Sequence, residues 1–246
     1  MNTVENLKSF GDAALSFLYP PVCAVCTTKR ASAREGYVCR DCWSDLRFVV
    51  PPFCERCGLP FEGEITNSFQ CSNCHEMDLH FRFARSAVVA NKLILEIIHD
   101  YKYRRALWFE PFLTDLLLRV SEPILRQDKW DLIVPVPLHP LKEREREFNQ
   151  AERLAVQLSR ATKIPVNKNL VRRVEPTRTQ TMLTRPQRAA NVQRAFTIRP
   201  GKKLNGEKII LLDDVLTTGA TTSACAKVLR QAGAGDICVW TVARGI

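Results

Sequence analysis

Short apolar runs alternate with helical apolar patterns over most of the chain. Residues 209–212 are four consecutive aliphatic residues, which is typical of a strand buried on both faces. Apolar residues at 94, 97, 98 and 101 recur instead at helical spacing. The pattern predicts strands near 84–90, 131–137, 169–174, 194–198, 208–212 and 237–243, and helices near 94–101, 107–125, 148–158 and 219–232. This alternation predicts an α/β fold, a doubly wound parallel sheet flanked by helices, with its site at the carboxyl ends of the strands.

The first part of the chain differs in composition and in hydrophobic pattern. Residues 20–80 are rich in turns and poor in long apolar runs, as in a module that is folded by metal instead of a large core. Residues 4–18 form a short amphipathic segment. We therefore expect an N-terminal helix and a small Cys-rich module at 1–80, followed by an α/β domain at 81–246.

Eight of the ten cysteines form four C-x-x-C pairs. Two such pairs can place four thiolates around one tetrahedral ion, so the pattern predicts two structural Zn²⁺ sites. Pairing in sequence order and an interleaved pairing both satisfy these spacings. Disulfides are the alternative, but they fit poorly with a cytosolic chain. The predicted ligands are Cys23, Cys26, Cys39, Cys42, Cys54, Cys57, Cys71 and Cys74.

Charge is distributed unevenly along the chain. The net charge is +10, and residues 137–203 alone hold 16 basic and 5 acidic side chains. This concentration suits a polyanion such as a diphosphate sugar or a nucleic acid, although it is also typical of a solvated basic surface.

The sequence predicts no membrane span. Its apolar runs are far shorter than the roughly 20 residues that cross a bilayer. The segment 4–18 lacks the basic start and the cleavage site of a signal peptide, so we expect a cytoplasmic protein.

Candidate chemistry follows the strand at 209–212. Two carboxylates come first, and small or hydroxyl residues then lead into a helix; together these are typical of a phosphate cradle beside acids that bind a sugar or Mg²⁺. An ordinary turn between strand and helix is the alternative. A Walker B strand is excluded, because no phosphate-binding loop follows an earlier strand. The candidate residues are Asp213, Asp214, Thr217, Thr218, Gly219, Ala220 and Thr221.

A second candidate loop follows Val136. His139, Lys142, Arg144 and Arg146 offer donors and positive charge, although a charged helix start has the same pattern. In a parallel sheet, the loops after Val136 and Leu212 emerge at the same edge. The polar segment 172–196 is rich in Arg and Thr, as in a lid over a phosphate-rich ligand or a nucleic-acid backbone.

The stretch 209–221 resembles the phosphoribosyl-diphosphate (PRPP) motif of type I phosphoribosyltransferases at every constrained position. The resemblance implies that Asp213 and Asp214 bind the ribose hydroxyls, with Mg²⁺ bound together with PRPP, and that Thr217 to Thr221 surround the 5′-phosphate. Pyrophosphate is then expected near the loop that carries His139, Lys142 and Arg146. In an active transferase, either carboxylate would also stabilise positive charge on the ribose, as a catalytic residue.

Further motifs resemble the ComF/GntX family along nearly the whole chain. They are Cys54-x-x-Cys57-Gly-Leu-Pro, Tyr101-Lys-Tyr-Arg104, Val134-Pro-Val-Pro-Leu-His139, Phe148-Asn-Gln150 and the spaced residues from Arg173 to Phe196.

Membership of this family implies a PRPP-binding protein with a double zinc ribbon that handles single-stranded DNA in the cytoplasm during natural transformation, alongside other competence proteins. The alternative is an active phosphoribosyltransferase of nucleotide salvage or metabolism, with an unknown acceptor. Glu147 stands where the family has Gly, so a left-handed or close-approach role is not expected there.

Overall fold

A computed structural model describes residues 21–63, 69, 71–75, 77–175 and 195–246. The predicted helix at 4–18 and the middle of the polar segment, residues 176–194, lie outside the described residues. The strands of the described part are β1 (Phe83–Val89), β2 (Leu132–Pro135), β3 (Val171–Arg173), β4 (Phe196–Ile198), β5 (Ile209–Leu212), β6 (Val215–Leu216) and β7 (Ile237–Arg244).

The helices of the described part include two short ones among the cysteines and five longer ones around the sheet. They are α1 (Arg40–Ser44), α2 (Ser72–His75), α3 (Lys92–Tyr103), α4 (Glu110–Leu125), α5 (Pro140–Arg146), α6 (Gln150–Thr162) and α7 (Ala220–Gln231). Side-chain caps fix two of the starts, since Asn91 accepts from the Ile94 N–H before α3 and Asn149 accepts from the Ala151 N–H before α6.

The main sheet is parallel, in the order β1-β7-β5-β2, and β6 also pairs with β7. The predicted α/β class, a parallel sheet flanked by helices behind a Cys-rich module, is confirmed. Strands β3 and β4 differ from simple alternation, because they form a separate antiparallel pair.

Helices cover both faces of the sheet. Every residue of β5 and β7 is buried, as expected for strands between two layers. Ile210 and Trp240 belong to an apolar cluster shared with α3, α4 and α6, whereas Ile209 and Val239 belong to a cluster shared with α7.

The Cys-rich module packs directly on the α/β domain. Val38 and Leu46 share the cluster of α3 and α4, and Leu79 and Phe81 share the cluster of α7. The boundary at residue 80 therefore separates two parts that are in apolar contact, and it stays a prediction. Within the described ranges, no helix has the length and apolarity needed to cross a membrane.

Candidate functional site

The two predicted loops meet at one edge of the sheet. Pro135 at the end of β2 lies opposite Leu212 at the end of β5 in a parallel register. The expectation that both loops leave the sheet on the same side is therefore confirmed.

The carboxylates of this edge interrupt the β5–β7 pairing. The Asp213 N–H donates to the Trp240 carbonyl at 3.1 Å, and the Asp214 carbonyl accepts from the N–H groups of Val242 and Ala243, both at 3.0 Å. Pairing then resumes in the same register at Val215 in β6. Both backbones are thus fixed by the central strand, which positions the two carboxyl groups.

Lys102, in the last turn of α3, forms an ion pair with Asp214. Burial raises the pKa of Asp214, but the Lys102 ammonium outweighs that effect, and the pKa lies below its usual value. Burial and the charge of Asp214 together hold the pKa of Asp213 well above its usual range. The adjacent carboxyls therefore differ in acidity, and Asp214 is the one that stays ionised.

Arg146 reaches the same region from the end of α5. Its guanidinium donates to the Tyr103 hydroxyl at 2.7 Å and to Gln150 Oε1 at 3.1 Å, and it lies 4.5 Å from the centre of the Tyr103 ring. Only 8% of the residue is exposed. The neighbour Tyr103 directly follows Lys102, so α3 and α5 meet beside the carboxylates.

Lys142 and Arg173 complete a cluster of positive charge. Burial, together with the charges of Arg173, Arg146 and Lys102, lowers the pKa of Lys142. Burial likewise lowers the pKa of Arg173, which interacts favourably with Asp213 and unfavourably with Arg146. We call these neighbouring residues the basic cluster: Lys102, Lys142, Arg146 and Arg173.

The predicted phosphate loop turns sharply into α7. Gly219 has φ +82°, in the left-handed region that favours glycine, and Leu79 and Phe81 pack 3.7 Å from the position that a Cβ would take. The Thr218 hydroxyl accepts from the Ala220 N–H at 3.3 Å. Thr217 is exposed, whereas Thr218, Ala220 and Thr221 are half-buried where the helix begins.

His139 has a capping role in the structure. Its Nδ1 accepts from the Leu141 N–H at 3.3 Å and caps α5. His139 was predicted to bind the ligand directly, but here it stabilises the start of the helix that carries Lys142 and Arg146.

The expectation for Glu147 is wrong. It adopts φ +65°, the left-handed conformation that ends α5, and it forms an ion pair with Arg105. The backbone turn that glycine would favour is thus made by a glutamate.

The eight paired cysteines form two clusters in sequence order. Within each cluster the four sulfurs lie within 4.8 Å of one another, which resolves the pairing left open by the spacing. A tetrahedral Zn²⁺ with Zn–S distances of about 2.3 Å places its sulfurs about 3.8 Å apart. The Cys23–Cys42 and Cys57–Cys71 sulfurs are 3.8 and 3.6 Å apart. The first site is Cys23, Cys26, Cys39 and Cys42, and the second is Cys54, Cys57, Cys71 and Cys74.

The donor chemistry also fits structural zinc. The Cys39 N–H points at the Cys23 sulfur at 3.3 Å, and the Cys71 N–H points at the Cys54 sulfur at 3.4 Å, as backbone amides do around bound thiolates. The chain therefore has two Cys₄ sites of the kind that holds structural zinc.

Sequence reasoning did not include Lys102 and Arg173 among the site residues. Lys102 lies in the motif Tyr101 to Arg104 and Arg173 in the polar segment, but the spacing of neither residue predicts that it lies near Asp213. Only the packing of α3 and the β3–β4 pair brings them there.

Comparison with known proteins agrees with these features. Residues 14–75 match the model of the double zinc ribbon domain. The chain is 30% identical over 230 residues to DNA utilization protein YhgH of Escherichia coli O157:H7, covering 92% of this chain and 97% of that protein. It is 29% identical over 228 residues to competence protein F of Haemophilus influenzae, covering 90% and 96%.

Among solved structures, the chain is similar to a purine phosphoribosyltransferase from Pyrococcus horikoshii. The TM-score is 0.35 at 18% identity, over 54% of this chain and 83% of the other. The near full-length similarity to YhgH and to competence protein F, together with the paired Cys₄ sites, establishes that the chain belongs to the ComF/GntX family.

Proposed function

We propose that this protein binds PRPP with Mg²⁺ at the carboxyl edge of its sheet and acts in the cytoplasm in the handling of single-stranded DNA during DNA uptake. The observation that carries the proposal is the basic cluster, which meets the Asp213–Asp214 pair through Lys102 and Arg173. Of its members, Arg146 is buried and Arg173 is half-buried.

The basic cluster fits the pyrophosphate of PRPP. Burial and, secondly, the neighbouring positive charges lower the pKa of Lys142, and a polyanion that binds beside its ammonium group offsets both effects. Guanidinium groups such as that of Arg146 bind phosphate through two parallel hydrogen bonds, whereas Lys142 supplies a point charge. We assign the pyrophosphate to these residues, with His139 supporting α5.

The opposite half of the site fits the ribose 5-phosphate. Asp213 and Asp214 can accept hydrogen bonds from ribose hydroxyls and, with PRPP, share Mg²⁺. The turn at Gly219 opens a twelve-residue helix, α7, whose first N–H groups and dipole attract an anion. We assign the 5′-phosphate to Thr217, Thr218, Gly219, Ala220 and Thr221.

Calorimetric titration with PRPP and Mg²⁺ tests this assignment. The protein should bind PRPP, and Asp213→Asn/Asp214→Asn should abolish binding. Asp236→Asn is the matched control, because Asp236 precedes β7 at the opposite edge of the sheet and pairs with Arg82. Absence of binding to the unaltered protein, or unchanged binding in the double variant, would refute the site.

The DNA role is supported by the names of the relatives, which are competence and DNA utilization proteins. The excess of basic residues in 137–203 supplies the charge that a nucleic-acid backbone requires. Binding of a fluorescent single strand should weaken steeply with salt. A contact with about four phosphates predicts a slope near −3 in the log–log plot. Binding that is absent, or independent of salt, would remove this part of the proposal.

Transfer of ribose 5-phosphate to an acceptor is the second candidate. Both halves of a PRPP site are proposed at one edge, which is the arrangement needed for a nucleophile to displace pyrophosphate at ribose C1. Release of pyrophosphate across a panel of nucleobases distinguishes transfer from binding alone.

A further inference from the structure

Arg244, the last residue of β7, joins the second Cys₄ site to the proposed phosphate loop. It is only 3% exposed. Its Nε donates to the Cys57 carbonyl at 3.1 Å, and its Nη2 approaches the Cys57 sulfur at 3.5 Å. Its Nη1 donates to the carbonyls of Leu216 at 3.1 Å and Thr217 at 2.6 Å. One guanidinium thus contacts a cysteine ligand and the loop.

The charge of the second site explains how a guanidinium can be buried here. Four thiolates around a divalent ion carry a formal charge of about −2. Arg244 contacts one of these sulfurs, so its positive charge is compensated beside a metal-loaded site. Without the metal, Cys57 is no longer held in place by the other three ligands, and the contacts that it makes with the buried guanidinium lose their fixed anchor.

The same contacts orient the loop backbone. In a trans peptide, the carbonyl and the following N–H point in opposite directions. Because Arg244 holds the carbonyls of Leu216 and Thr217, the N–H groups of Thr217 and Thr218 point away from it. A phosphate on that side of the loop would meet two preset donors.

The chain leaving the second site also forms hydrogen bonds with the first and last turns of α7. The Ser223 hydroxyl donates to the Asp78 carbonyl at 3.0 Å and accepts from the His80 N–H at 3.1 Å. Arg230 donates to the His80 carbonyl at 2.6 Å. The loop is therefore tied to the second site at its beginning, through Arg244, and at its end, through α7.

The first site is attached elsewhere. Its residues Cys23, Cys39 and Cys42 share a core with α3 and α4, and Trp43 packs edge-on against Phe112 at 5.1 Å. Among the described residues, no hydrogen bond joins this site to the loop 213–221. The two sites thus differ in their contact with the proposed PRPP pocket.

We propose that Arg244 is a positioning residue through which metal occupancy of the second Cys₄ site controls the conformation of the phosphate loop and its affinity for PRPP. The affinity part rests on the proposed PRPP function. The loop part does not, because it concerns backbone order that is measurable without ligand.

A matched pair of cysteine variants tests the coupling. Cys74→Ser and Cys26→Ser each remove one half-buried ligand, and neither cysteine has a hydrogen bond to Arg244 among the described residues. Metal analysis should show about one zinc lost from each. Hydrogen–deuterium exchange at 215–222 should accelerate in Cys74→Ser and stay unchanged in Cys26→Ser. PRPP affinity should fall by about tenfold or more only in Cys74→Ser. Equal behaviour of the two variants would overturn the proposal.

Arg244→Lys tests the link while preserving the charge. Lysine lacks the planar fork that joins Cys57, Leu216 and Thr217. The folded, zinc-loaded variant should show faster exchange at 216–218 and about tenfold weaker PRPP binding. Loss of zinc from the second site in this variant would also support the coupling. A zinc-loaded Arg244→Lys with unaltered exchange and affinity would refute it. If the unaltered protein fails to bind PRPP, the proposed function fails, and the exchange data still decide whether the sites are coupled.

Discussion

The Lys102 ammonium and the Asp214 carboxylate form an ion pair that is largely withdrawn from solvent, with 17% and 7% of the two side chains exposed. It joins α3 to the end of β5, across about half the length of the chain. Both residues of the pair therefore affect the stability of the protein and the charge of the proposed PRPP site.

Replacing Lys102 by Met should destabilise the protein by about 3 kcal/mol at neutral pH, because Asp214 is left as a buried, unpaired charge. The pKa of Asp214 is lowered in the folded state, so the pair stabilises the fold above the unfolded pKa and loses its effect as pH falls through the folded pKa. Urea denaturation should therefore show a difference that shrinks below about pH 4.

Lys92→Met is the matched control for this experiment. Lys92 lies on the same helix, and its side chain is 89% exposed beside Glu96. An exposed pair contributes little to stability. Equal destabilisation by the two substitutions would contradict the importance of the buried pair.

Asp213→Asn should raise the melting temperature at neutral pH while removing PRPP binding. Burial and the charge of Asp214 raise the pKa of Asp213 in the folded state. Its contribution to stability is thus fully present below the unfolded pKa and is lost as pH rises through the folded pKa. The gain from Asn should vanish near pH 4, which thermal melts across a pH series can measure. A gain that does not depend on pH would point to another cause.

Metal analysis should find about two zinc ions per chain. Cys42→Ser should lose about one of them and lower the melting temperature, because a cysteine cluster of this kind is folded by its metal. Cys238→Ser is the control, since Cys238 is equally buried but lies in β7, outside both clusters. A chelator that removes all zinc without changing the melting curve would show that the module needs no metal.

Glu147→Gly should be more stable than Glu147→Ala by about 1 kcal/mol. Both variants lose the exposed pair with Arg105, but only glycine relieves the left-handed backbone at φ +65°. Chemical denaturation of the two variants isolates the backbone contribution. Equal stabilities would mean that the left-handed turn is not retained in Glu147→Ala.

The sequence alone predicted the parallel sheet, because the aliphatic runs at 209–212 and 237–243 have the length and composition of buried strands. It also predicted that the loops after Val136 and Leu212 share an edge, since this follows from parallel strands alone. The cysteine spacing predicted two metal sites but left their pairing open, because both arrangements satisfy it.

The remaining site residues depend on tertiary packing. Lys102 precedes Asp214 by more than a hundred residues, and no local pattern connects a helix end to a distant strand end. Arg244 is the single charged residue of the apolar strand β7, and its contacts with Cys57 and Thr217 arise only when the second Cys₄ site packs on the sheet. The left-handed conformation of Glu147 was not predicted either. Glutamate disfavours this conformation locally, but the end of α5 and the ion pair with Arg105 override that preference.

The position of β7 between β1 and β5 has a consequence for biosynthesis. β7 follows the other described strands in sequence but lies in the centre of the sheet, so during synthesis β1, β2 and β5 emerge before the strand that joins β1 to the other two. Both cysteine clusters are complete by residue 75 and can capture metal long before then. We therefore expect the cysteine clusters to fold before the sheet, because the sheet can close only after 237–244 have left the ribosome.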